Sequence, residues 1–137
     1  MSLIELDKLI QSASETEPSK RVIRILSHDH VEACRNVFRL SLDRFFDSFA
    51  RRVAHEYWVQ NLSFEAADTA MNALHAYVGA RYDVRLPAYA GEVFAAFDQG
   101  EFHHKEDDES VDPEEKYTNP EIRSIVLRDE VLGASIP

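Results

Sequence analysis

Apolar side chains recur at steps of three and four through residues 31–58, a stretch without Gly or Pro. Cys34, Phe38, Leu42, Phe45, Phe49, Val53 and Tyr57 follow one another at that spacing, which places them along one face of an α-helix. Val37, Phe46, Ala50 and Trp58 widen the stripe, so the helix is expected to pack against more than one neighbour. Arg35, Arg39, Arg44, Arg51 and Arg52 fall on the remaining, water-facing side. The pattern predicts a single long central helix over residues 30–60.

Shorter segments gather around it. Leu3, Leu6, Leu9 and Ile10 give a first amphipathic helix, opened by the capping-box spacing of Ser2 and Glu5 and ending near Ser12. Residues 12–19 are polar, contain Pro18 and read as a loop. Residues 20–26 suit either a turn or two of helix or a short strand; helix is preferred because no partner strand is evident. Asp29 and Glu32 repeat the capping-box spacing where the long helix should start. Ser63 is the expected cap of the next helix, whose buried line runs through Phe64, Ala67, Met71, Leu74 and Val78. Pro87 fits the first turn of a further helix carrying Leu86, Tyr89, Ala90, Val93, Phe94 and Phe97, and Gly100 stands where a left-handed C-cap is wanted. Asn119-Pro120-Glu121 opens a C-terminal helix over residues 118–132, with Ile122, Ile125, Val126 and Asp129 on one face. The last four residues are expected to be loose.

Composition agrees with a helical reading. The 137 residues are 45% hydrophobic, with only four Gly and five Pro, too few turn residues for a sandwich of short strands. The expected fold is an all-α, single-domain helical bundle, residues 1–137, with about five helices around the long central one.

Charge adds an asymmetry. The chain carries 25 Asp and Glu against 15 Lys and Arg, a net charge of −10, which disfavours nucleic acid as a partner. Residues 19–60 hold eight basic against five acidic side chains, a net +3, whereas residues 61–137 hold six against 16, a net −10. The change is sharpest over residues 101–117, predicted to be a mobile acidic loop because so few of its side chains can be buried. Two uses of this charge stay open: the loop drapes over the arginines of the long helix, or it meets a basic protein.

A single cysteine, Cys34, leaves no intrachain disulfide and fits a cytoplasmic setting. The first ten residues mix Glu5, Asp7 and Lys8 into the apolar pattern, unlike a signal peptide, and no apolar run approaches a membrane span.

Candidate chemistry is sparse. His103, His104, Asp107 and Asp108 are possible metal ligands by residue type, and His28, His30 and Cys34 form a second group. His55 and His75 lie on consecutive helices and could face each other for acid–base work. Phosphate-binding glycine loops, His-Glu-x-x-His and Gly-x-Ser-x-Gly are absent from the sequence, so no catalytic activity and no cofactor are expected.

The leading expectation is a small acidic binding protein that neutralises a basic protein partner, as an immunity protein or antitoxin does. The residues assigned to that contact are Asp98, Glu101, Asp107, Asp108 and Asp112. Alternatives are a homo-oligomeric helical domain anchored by Phe46, Trp58 and Tyr57, and a metal protein or enzyme using histidines.

Overall fold

The computed structural model describes residues 4–14, 16–17, 22–23, 26–82 and 85–133. Ser2 and Leu3 of the first expected helix start, residues 20, 21, 24 and 25, and residues 134–137 lie outside them. The described helices are α1 (Ile4–Ser14), α2 (His28–Phe38), α3 (Leu42–Trp58), α4 (Phe64–Tyr82), α5 (Ala88–Gln99) and α6 (Asn119–Val131), with a π-helical turn at Glu114–Thr118 leading into α6. The chain is all-α, as its periodicity predicted. A two-residue antiparallel ladder, β1 (Thr16–Glu17) with β2 (Val22–Ile23), is the exception. Val22 and Ile23 are thus extended rather than helical, and their partner lies within the stretch read as loop.

The single helix expected over residues 30–60 is two. Arg39 ends α2 in a left-handed conformation (φ 54°, ψ 46°), its N–H donating to Arg35 O. Ser41 then caps α3, its hydroxyl accepting from the Arg44 N–H at 3.4 Å, and Asp43 occupies the first turn. Apolar spacing concealed this break because it counts residues and ignores the direction of the axis. The stripe therefore survives the corner: Cys34, Phe38, Phe45, Phe49, Val53 and Tyr57 are all buried and Leu42 partly so. Of the widening positions, Phe46 and Ala50 are buried, but Val37 and Trp58 are exposed.

α3 is the hub, packing on α1, α4, α5 and α6. Its Phe45, Phe46 and Phe49 form a tilted and edge-on aromatic cluster at the centre of the core. α4 buries Ala67, Met71, Leu74 and Val78 as expected, and adds Ala70, Ala73 and Tyr77, because it contacts α1 and α5 as well as α3. Ser63 caps it, accepting from Ala66 N–H at 3.1 Å.

Caps differ from expectation at the start of α2 and at both ends of α5. α2 starts two residues earlier than a cap at Asp29 would place it, capped by the Ser27 hydroxyl, with Asp29 in the first turn beside the positive helix end. Pro87 is the N-cap of α5 and not its first turn; with no side chain of its own to offer, the helix takes a carboxylate from α3, as Asp47 Oδ1 accepts from Ala90 N–H at 3.0 Å. Gly100 is not left-handed (φ −85°, ψ −6°). Its need for glycine is steric: a Cβ there would sit 2.0 Å from Thr118 Oγ1 and 3.1 Å from Phe64 Cε2.

Candidate functional site

Residues 101–113 run from α5 to the π-helical turn, and inward contacts define their path. His104 is buried with its ring stacked between Phe102 and Tyr117, centroids 4.4 and 3.9 Å away, and its Nε2 lies 2.9 Å from Gln99 O. Asp107 is gripped by the Lys116 ammonium and by the Tyr117 hydroxyl, in that order of effect, which holds its carboxyl below the usual range. Asp108 accepts from Ser110 N–H at 2.9 Å and Asp112 from Glu114 N–H at 3.0 Å. These short-range bonds shape the backbone and leave the outer carboxylate edges in water.

The five residues assigned to a basic partner thus divide. Asp108 and Asp112 are exposed, and Asp107 is engaged from inside. Glu101, also exposed, accepts from Asn72 Nδ2 at 2.8 Å, while Asp98 is half-buried on α5. Glu101 and Asp98 stand close to Asp68 of α4, whose carboxyl is pushed up to about 8 by burial first, then by its bond to Glu101 and the negative charge of both neighbours.

Beside this face opens a cleft of about 690 Å³, lined by the end of α3 (Tyr57, Trp58), the α3–α4 turn (Gln60, Leu62), the start of α4 (Phe64), and Glu114 and Asn119. The π-helical turn makes it. Residues five apart on an α-helix diverge by about 140°, but here the Asn119 N–H bonds to Glu114 O, closing a wider turn that brings both side chains to Tyr57. The Tyr57 hydroxyl lies 2.5 Å from Glu114 Oε2 and 2.5 Å from Asn119 Oδ1. It has one proton to give, and the carboxylate is the stronger acceptor. Burial, then the bond and charge of Glu114, push the phenol well above its ordinary range, so it stays a donor. Asn119 was expected to cap α6; its side chain turns to Tyr57 instead, because the π-helical turn already supplies the preceding backbone.

A second polar cluster lies between α3, α5 and α6. Asp129 is buried; its Oδ2 is 2.8 Å from His55 Nε2, accepts from the Tyr89 hydroxyl at 2.5 Å, and is 3.6 Å from Arg51 Nε. Arg51 Cζ stands 4.4 Å from the Tyr89 ring centroid, and its buried Nε has no hydrogen-bond partner among the described residues. Arg51 and Arg52, expected to face water, are therefore committed, Arg52 pairing with Asp7 and Glu56. Arg35 pairs with Glu32, and Arg39 and Arg44 are exposed. All these ion-pair partners lie outside residues 101–117, so none of these pairs drapes the acidic segment over the arginines.

The histidine candidates are not brought together. His55 turns to Asp129, whereas His75 stacks on Phe94 at 4.3 Å. His28 meets the Tyr77 hydroxyl at 2.8 Å and His30 is exposed, while Cys34 is buried and its thiol pushed up to about 11 by that burial, then by Glu5. His103 and His104 each address a backbone carbonyl. Among the described residues no group of three or more His, Cys, Asp or Glu could hold a metal ion, and no helix is long and apolar enough to cross a membrane. Of the three expected oligomer anchors, Phe46 and Tyr57 are buried and only Trp58 reaches the surface.

Sequence reasoning missed Glu114, Asn119 and Phe64 as a group. Their common feature is Tyr57, which sits on the apolar stripe and carries no local sign that its hydroxyl collects polar partners from 57 and 62 residues away. Compared with protein-family models, with curated proteins and with solved structures, the chain matches none.

Proposed function

We propose that this chain is a non-catalytic binding protein for a basic protein partner, acting as an immunity protein or antitoxin does. The observation that supports it is the division of labour in the acidic segment. His104 and Asp107 fasten it inward, and the same path leaves Glu106, Asp108, Glu109, Asp112 and Glu115 exposed. A charged surface on a fixed frame raises the encounter rate with a partner of opposite sign and selects its orientation. Asp129, a carboxylate with three side-chain partners among the described residues, is too deeply buried to meet a substrate, which favours binding over catalysis.

The test is capture from lysate of the source cells by immobilised protein, comparing wild type with a variant in which Glu101, Asp108, Glu109 and Asp112 are changed to Lys. A basic protein held at low salt, released at high salt and lost with the variant is the expected result. Capture that ignores both salt and charge reversal rejects the reading.

A further inference from the structure

The cleft at Tyr57, Trp58, Phe64, Glu114 and Asn119 carries more information than the acidic face as a whole. Among its lining residues one is acidic and none is basic: the acid is Glu114, whose side chain is half-buried. No described residue forms a salt bridge with it, and its one side-chain donor is a neutral phenol. A carboxylate partly withdrawn from water and lacking a counter-charge is a natural partner for a cationic donor, because charge-assisted hydrogen bonds are the stronger ones. Trp58 and Phe64 in the walls supply the aromatic surface that attracts such cations. Asp112, bonded to the backbone N–H of Glu114 at 3.0 Å, adds negative charge close by.

The floor also distinguishes between cations. Tyr57 has two acceptors within 2.5 Å and a single proton, so the acceptor it does not serve remains open to a donor from a ligand. Two oxygens from different elements, flanked by aromatic walls, suit a planar group with several diverging N–H donors better than a compact ammonium.

We infer that this cleft is the seat of an arginine side chain presented by the partner, its guanidinium bonded to Glu114 and Asn119 and its stem against Trp58 and Phe64. This rests on the reading of the chain as a receptor for a basic protein, and it names the one side chain that is inserted. Exposed carboxylates along residues 101–115 steer the partner, while the cleft fixes its position.

Trp58 is the only tryptophan in the chain, so its fluorescence reports on this cleft alone. The intact protein is titrated with acetyl-arginine amide, acetyl-lysine amide and the neutral isostere acetyl-citrulline amide. Arginine should give a saturable change with a midpoint on the order of millimolar, as expected for a ligand of this size. Citrulline should be about tenfold weaker, and Glu114→Gln should weaken arginine by about the same factor. Thermal melting of Glu114→Gln checks that the variant folds, and the citrulline comparison needs no variant at all. No saturable response to arginine, or an equal response to citrulline, overturns the inference; lysine binding as tightly as arginine overturns the guanidinium assignment.

The outcome is separable from that of the broader reading. Arginine binding by a protein whose partner capture ignores charge reversal keeps the cleft and rejects the acidic receptor. Charge-dependent capture without any arginine response does the opposite.

Discussion

α3 and the π-helical turn both pack on α5, yet they are held there by different forces. α3 inserts Phe45, Phe46, Phe49 and Val53, fully buried and indifferent to pH or salt. The turn and the segment before it are fixed by single polar bonds and one ring stack: Thr118 Oγ1 donates to Ala96 O at 2.7 Å, Asp107 meets Lys116, and His104 lies between two aromatic rings. Apolar area is additive and forgiving, whereas a polar frame holds only while each donor and acceptor stays paired. The region proposed to bind a partner is the one built the second way.

The largest effect should come from the apolar side. Phe49→Ala removes a fully buried ring from the centre of the core and should cost about 3–5 kcal/mol in urea unfolding, without altering local exchange in residues 101–113 beyond the global loss. A cost under about 1 kcal/mol would show that α3 is not the hub.

Gly100→Ala strikes where the two regions meet. The added Cβ would lie 2.0 Å from Thr118 Oγ1, and that hydroxyl cannot swing aside without breaking its bond to Ala96 O. A loss of about 1–3 kcal/mol is expected. Since φ at Gly100 is −85°, a neutral or stabilising result would mean that the π-helical turn sits farther away than its contacts require.

His104→Ala should cost less, about 1–2 kcal/mol, from the lost stack and the lost bond to Gln99 O. Its signature is local: hydrogen exchange at residues 103–112 should accelerate while α3 amides keep their protection. The same measurement on the unaltered protein tests whether the segment is mobile, as its composition predicts.

The smallest effect concerns pH. Folded Asp68 holds its proton to about 8, whereas the ordinary value is 3.8. Between those values the unfolded chain has released a proton that the folded chain retains, so this group lowers stability progressively as pH rises from about 4 to about 8. Asp68→Asn should therefore raise the melting temperature by a few degrees at pH 8 and hardly at pH 4. An equal gain at both would assign the effect to something other than titration.

Sequence alone determined the helical class and most of the core, because a three-four apolar rhythm is a property of neighbouring residues and of one helix at a time. Phe38, Phe45, Phe49, Val53 and Tyr57, Ala67, Met71, Leu74 and Val78 of α4, and Ile122, Ile125 and Val126 are buried as that rhythm required, while Phe64 is partly so and the burial of Asp129 beside them is not a product of apolar spacing. Only the tertiary structure decided the corner at Arg39, the borrowing of Asp47 to cap α5, the steric demand on Gly100, and the meeting of Tyr57 with Glu114 and Asn119. The physical reason is common to all four. Polar bonds and close approaches join atoms from separate elements, and their partners are chosen by how helices pack, a choice that no periodicity along one of them encodes.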